Sequence, residues 1–229
     1  MCGRFTLSTA PTAIVDHFGL DEAPELRARF NVAPGQSIAT ISLSAEDHQL
    51  VLSQRRWGLV PSWAKDENIG NRLINARAET VCEKPSFRAA LRRRRCLVPA
   101  DGFYEWAGPK GSKQPYFIGL EGRAPFAFAG LWERWMNPEG KALESCTLLT
   151  TEATEHLRGL HDRMPVIVDP VDYRLWMDPD VEEPDLVSPV IDRNLGGALA
   201  FYPVSTHVND VRHDDPRCLE AIAGQAGFF

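Results

Sequence analysis

Along most of the chain, short runs rich in Val, Ile, Leu, Phe, Tyr and Trp are broken by Gly, Pro and polar turns, which is the signature of β-strands. "SIATISL" (37–43) and "QLVLSQRRWGLV" (49–60) predict two strands joined by a polar turn, a hairpin. "CLVPADGFYEW" (96–106), "YFIGL" (116–120), "FAFAGLWERW" (126–135), "SCTLLTT" (145–151) and "PVIVD" (165–169) predict further strands, with "AGPKGSKQP" (107–115) a loop. Helical spacing is rarer. Thr9 before Ala10 and Pro11 reads as a helix start, Ile14, Val15 and Phe18 give the apolar face, and Gly19 is a natural stop. "KPSFRAALRRRR" (84–95), "EATEHLRGL" (152–160) and "PVDYRLWM" (170–177) predict three more helices, and the acidic "DPDVEEPDL" (178–186) a solvated loop. Strands of mixed length interrupted by single helices, without regular β-α-β alternation, predict an α+β fold. The expectation is one compact domain over residues 1–229, with a mostly antiparallel, barrel-like β centre and short peripheral helices.

Composition narrows the class. The chain has 229 residues, 44% of them hydrophobic, enough for a sizeable core. No run approaches the roughly 20 apolar residues of a membrane span, and the start lacks the basic and apolar segments of a secretory signal. The expectation is a cytoplasmic protein with no membrane partner. Five cysteines form an odd set without a C-x-x-C pair, which argues against a disulfide framework and against a zinc ribbon, so no metal and no cofactor are expected. No partner-binding helix is evident, which predicts a monomer.

Net charge is −6, against a nucleic-acid binder that relies on bulk positive charge. The distribution is uneven. Residues 1–150 hold 19 Lys and Arg against 16 Asp and Glu, whereas residues 151–229 hold 6 against 15. An anionic ligand is expected on the N-terminal two thirds.

Several polar residues stand where apolar ones are expected. In "LINARAET" (73–80), strand alternation puts Asn75, Arg77 and Glu79 on one face, which suits either a site or the polar face of a half-buried sheet. Glu105 sits among Phe103, Tyr104 and Trp106; aromatic surroundings would desolvate a carboxylate and suit it to acid catalysis, while an exposed edge-strand Glu is the plainer reading. His161 falls at a junction before an apolar run, where side chains are commonly presented to a ligand. Trp63 is a candidate stacking platform for bases, Trp57 a core residue, and the run Arg92–Arg95 a helix end of low specificity for phosphate.

Cys2 follows Met1 directly. Aminopeptidases remove Met1 before a small residue, and cysteine is small enough. A free Cys2 would carry an α-amine of pKa roughly 7.7–8.0 and a thiol of about 8.5 on one residue. Nucleophile and base would then be adjacent.

Taken together, Cys2-Gly3-Arg4-Phe5, "NVAPG" (31–35), "RRWGLVPSWAKD" (55–66), "INARAET" (74–80), "ADGFYEW" (100–106) and "HDRMPVIV" (161–168) closely resemble, in that order, the SOS-response-associated peptidase (SRAP) family of abasic-site cross-linking proteins. The resemblance implies that Met1 is removed and that Cys2 attacks the ring-opened aldehyde of an abasic site in single-stranded DNA, closing a thiazolidine. It implies that Asn75 holds the amine, that Glu105 and His161 move protons, and that Arg4 and Arg77 contact phosphates. Trp63 would stack beside the lesion, Asn31 and Pro34 would border the pocket, and Thr150 would line the DNA groove. Strand scission at the abasic site and peptidase-like self-processing are further activities it implies. An N-terminal-cysteine amidohydrolase and a non-catalytic reader of single-stranded DNA are the competing functions.

Overall fold

The structure, a computed structural model, describes residues 2–22 and 25–222. The chain opens with β1 (Phe5–Leu7) and α1 (Pro11–Phe18), then β2 (Arg29–Val32) and the hairpin of β3 (Ser37–Leu43) and β4 (Leu50–Trp57). After β5 (Asn75–Arg77) and α2 (Arg88–Arg93) come β6 (Arg95–Ala100), β7 (Gly102–Ala107), β8 (Gln114–Leu120), β9 (Phe126–Met136) and β10 (Ala142–Glu152). The last third holds β11 (Arg163–Pro165), β12 (Ile167–Val168), α3 (Tyr173–Met177), α4 (Pro184–Asp192) and β13 (Leu199–Pro203).

Five strands close a barrel in the order β10-β4-β3-β6-β9, because β9 pairs with β10 from Met136↔Ala142 to Gly130↔Leu148. Closure leaves those strands no free edge. A second sheet, β13-β8-β7-β1-β2, packs beside it. All pairings are antiparallel except those of β10 with β4 and with β5.

Alternation along the barrel strands divides two cores. Leu97, Ala127, Ala129, Leu131 and Leu149 join a cluster with Ile14 of α1, Trp176 of α3 and Val187 of α4. Their neighbours Cys96, Val98, Phe126, Phe128 and Leu148 join the other, with Phe5, Trp57, Phe103 and Cys2. Trp57 is fully buried, as the sequence predicts. Among the described residues no helix is long and apolar enough to cross a membrane.

The α+β architecture with its barrel is as predicted, but several elements differ. The run 96–106 is two strands in two sheets. It turns at Asp101, whose buried carboxylate accepts from the backbone and hydroxyls of Ser8 and Thr9. Thr9 is thereby spent on Asp101, and α1 starts from Ala10 without a side-chain cap; its end at left-handed Gly19 is as expected. The predicted helix 84–95 shortens to Arg88–Arg93, and Arg95 is not a surface cation. It is buried, and its guanidinium donates to the carbonyls of Leu91 (2.5 Å), Arg92 (2.8 Å), Trp176 and Asp178. Residues 152–160 form turns instead of a helix, with β10 running on to Glu152. The acidic stretch 178–186 is only partly loop, since α4 begins at Pro184 and buries Val187 and Val190.

Candidate active site

Cys2 lies just ahead of β1, and two neighbours meet there. The register Phe5↔Phe103 between antiparallel β1 and β7 carries Glu105 back to the level of Gly3. From the barrel side, the parallel register Leu148↔Asn75 carries β5 to the same place, where Asn75 Nδ2 donates to the Cys2 carbonyl at 2.7 Å. Asn75 Oδ1 is buried and accepts no hydrogen bond among the described residues.

Cys2 is fully buried and Glu105 is 5% exposed. Burial pushes the Cys2 thiol far above its ordinary pKa, and the nearby Glu105 charge pushes it the same way; a long contact from Sγ to the Arg4 carbonyl (3.9 Å) opposes them weakly. The sulfur is therefore held as a thiol, not a thiolate.

His161 stands at the same end of β10, just before β11, which pairs with β10 as Arg163↔Glu152. Its Nδ1 is 3.0 Å from the Arg163 backbone N–H and 2.6 Å from Asp162 Oδ1. These contacts require opposite states of Nδ1: bare to accept from the N–H, protonated to donate to the carboxylate.

Beside this cluster, Arg77, Arg158 and Arg163 line an open groove of about 450 Å3 together with Glu152 and Asp162. Arg77 is exposed. Arg163 pairs with Glu79 through two bonds, at 3.1 and 2.9 Å, and donates to the Thr150 carbonyl at 2.6 Å. Thr150 itself is buried, its hydroxyl 3.4 Å from the Ala76 carbonyl, so it lies under the groove and fixes β10 to β5. Arg158 and Arg163 were not singled out in the sequence; the signal for Arg163 was its place inside "HDRMP", beside His161.

The side chains of the other predicted residues are engaged elsewhere than at Cys2. Arg4 donates to Asn31 Oδ1 (2.7 Å) and the Val208 carbonyl (3.0 Å), and its guanidinium lies 5.6 Å from the Trp106 ring centroid. Asn31 is fully buried and donates to the carbonyls of Val208, Asp210 and His213. Pro34 is exposed in a turn whose left-handed Gly35 bonds the Trp57 carbonyl. Trp63 is 58% exposed, its indole N–H 3.5 Å from the Pro85 carbonyl. Among the described residues, groups of three metal-ligating side chains occur away from Cys2, at His207–Asp215–Cys218 and at His48–Asp178–Asp180.

Residues 1–211 match the family model described as SOS response associated peptidase (SRAP). The abasic site processing protein YoqW of Bacillus subtilis is 42% identical over 226 residues, covering 96% of this chain and 100% of that protein. The abasic site processing protein HMCES of Gallus gallus is 34% identical, covering 97% of this chain and 78% of that protein. A crystal structure of a Bacteroides thetaiotaomicron protein shares the fold with a TM-score of 0.82 at 24% identity, covering 96% of this chain and 100% of that one. A phage-related protein of Bordetella bronchiseptica superposes with a TM-score of 0.72 at 30% identity, covering 89% of this chain and 94% of that one. With the family model and full-length relatives both matched, this chain belongs to the SRAP family.

Proposed function

We propose that this protein processes abasic sites in single-stranded DNA by forming a covalent cross-link through Cys2 once Met1 has been removed. The observation that carries the reading is the setting of Cys2: Asn75 bonded to its carbonyl with a buried acceptor to spare, and the Glu105 charge beside its thiol. The relatives' names, abasic site processing protein, supply the substrate class.

The chemistry follows from the groups present. The α-amine, with Asn75 Oδ1 to accept one of its N–H bonds, adds to the aldehyde carbon of the ring-opened deoxyribose, and loss of water gives an imine. The thiol sulfur then adds to the same carbon while its proton passes, by way of Glu105, to the imine nitrogen, which becomes the ring N–H. The product is a five-membered thiazolidine, and the net change is loss of one water. A sulfur held as a neutral thiol makes the amine the first nucleophile, so the order is imine, then ring. Ring closure is intramolecular and gains the large rate advantage of proximity. His161 and Glu105 are the acid and base for sugar opening and for reversal. Arg77 and its neighbours in the groove contact phosphates, and Trp63 stacks against a base next to the lesion. The imine also opens a path to β-elimination, so lyase activity is a secondary outcome of the same intermediate; self-processing of residues ahead of Cys2 would expose the amine.

The test is a denaturing gel with abasic single-stranded DNA. A denaturation-resistant adduct is expected with Met1-processed protein and not with intact DNA, Cys2→Ala or Cys2→Ser. Absence of the adduct, with Cys2→Ala binding abasic DNA as well as the unaltered protein, would identify a non-covalent reader instead.

A further inference from the structure

A second cluster of reactive side chains lies in the C-terminal segment, outside the machinery assigned above. His207, Asp215 and Cys218 each offer one ligand atom, all within 4.8 Å of one another, and His207 Nε2 lies 3.1 Å from Asp215 Oδ2. His213 holds His207 and Cys218 in orientation, and Arg217 holds Asp215. The His213 ring stacks on the His207 ring at 3.9 Å between centroids and 6° between planes, and its Nδ1 is 2.8 Å from the His207 carbonyl. Asp215 Oδ1 accepts from the Arg217 backbone N–H at 2.9 Å and from Arg217 Nε at 3.0 Å, which leaves Oδ2 facing His207 with Arg217 Nη2 at its side. Cys218 is buried, its thiol 3.5 Å from the His213 carbonyl.

We propose that His207, Asp215 and Cys218 form a zinc site that cross-links the C-terminal segment internally and so fixes the carbonyls that hold Asn31 of β2. One imidazole, one carboxylate and one thiolate make a donor set that suits Zn2+ and not the hard cations Mg2+ or Ca2+. Bonds of roughly 2.0–2.3 Å in a tetrahedron put donor atoms about 3.3–3.8 Å apart, so closing the triad takes a movement of about 1 Å, with water as the fourth ligand. On binding, Cys218 gives up its thiol proton to solvent and its hydrogen bond to the His213 carbonyl, and His207 exchanges the Nε2 proton it shares with Asp215 for one on Nδ1, so that the bare Nε2 takes the metal. His213 and Arg217 then serve as the outer supports of the ligands. His207 and Asp215 are partly exposed, at 17% and 34% of their side chains, which leaves the ion a route in.

The site has a structural purpose in this fold. The segment around it buries Val204, Val208 and Cys218 in a small cluster with Tyr104, Phe117 and Tyr202. Yet its carbonyls at Val208, Asp210 and His213 are the ones that hold Asn31, which in turn accepts from Arg4, two residues from Cys2. Fixing 207 to 215 and 218 fixes that set of acceptors. No motif announces the site, because its ligands are spaced without a C-x-x-C pair.

The test uses metal-stripped full-length protein carrying Cys2→Ala and Cys82→Ser, which removes the N-terminal and the exposed thiol, and titrates it with Co2+ and then Zn2+. One Co2+ per chain is expected, with a thiolate-to-cobalt band in the near ultraviolet and the d–d bands of a tetrahedral ion, both bleached by Zn2+. Cys218→Ser and His207→Gln should each weaken Zn2+ binding at least about 10-fold, while His48→Ala, at the exposed second cluster, should not. Zn2+ at about a hundred times its Kd should raise Tm by roughly 5–10 °C. A titration of folded protein that yields no thiolate-to-cobalt band, or a band that persists in Cys218→Ser, overturns the proposal. Since no DNA enters the measurement, that failure would leave the abasic-site reading untouched.

Discussion

Asn75 donates to the carbonyl of Cys2 at 2.7 Å while its own carbonyl oxygen, buried, takes no hydrogen bond among the described residues. In the proposed mechanism one amide thus holds the backbone of Cys2 and keeps an acceptor for its amine. Asn75→Ala should slow adduct formation by about 5–150-fold, the range that corresponds to one buried hydrogen bond of 1–3 kcal/mol, with little change in affinity for intact DNA. Single-turnover cross-linking at saturating DNA, alongside a binding isotherm, separates the two. An effect on binding alone would refute the role.

The order of attack has a pH signature. With the Cys2 thiol pushed up by burial and by Glu105, the rate should follow deprotonation of the α-amine, rising with pH through roughly 7.7–8.0 and then levelling. A thiolate-first route would keep climbing past that range. Glu105→Gln should slow the reaction across the profile, because the proton released at ring closure loses its acceptor; an unchanged profile would remove Glu105 from that step.

Burial also raises the thiols of Cys96, to about 12, and of Cys146 in the barrel. In the unfolded chain these ionise near pH 8.5, so there the unfolded state loses protons first. Stability should therefore be at its full value below about pH 8.5 and fall as pH rises toward the raised values, by up to about 1.4 kcal/mol per pH unit for each thiol. Urea unfolding between roughly pH 8 and 10.5 measures the slope. Cys96→Ala should flatten it, whatever that variant costs in packing.

Trp63 and Arg77 differ in what they should lose. Trp63→Ala should weaken single-stranded DNA binding by about 1–3 kcal/mol without lowering Tm, since most of the indole already faces solvent. Arg77→Ala should weaken binding to all sequences alike and reduce the slope of log affinity against log salt by about 1. A drop in Tm for Trp63→Ala would place the ring in the core instead.

Gly58, at the end of β4, has φ +127°, and a Cβ there would stand 2.7 Å from the Gly70 carbonyl oxygen; a Cβ on Gly70 would stand 2.5 Å from that of Gly58. Two backbones touch because neither residue has a side chain. The contact spans the excursion that carries Trp63 and returns to Asn75. Gly58→Ala should cost at least about 1–3 kcal/mol from the backbone conformation alone, and should slow cross-linking even where the variant remains folded. Thermal unfolding and single-turnover assays check both.

The hairpin 37–57, the helix 11–18 with its Gly19 stop, and the burial of Trp57 were legible because each depends on neighbours a few residues away. The motifs holding Cys2, Asn75, Glu105 and His161 were legible as residue types in order. Chain order alone could not decide how they meet. Asn75 reaches Cys2 because β5 lies parallel to β10, and Glu105 does so because the run 96–106 breaks at Asp101 and crosses into the second sheet. The same limit explains Arg95, a cation in a basic run that the fold turns inward onto four carbonyls. It also bears on 152–160, where Glu152 pairs with Arg163 as the end of β10 and turns follow in place of a helix. Local pattern determined which segments could be strands and which residue could be a nucleophile. The pairing of β5 with β10 and of β1 with β7, a matter of hydrogen bonds between segments far apart in the chain, decided that Asn75 and Glu105 lie beside Cys2.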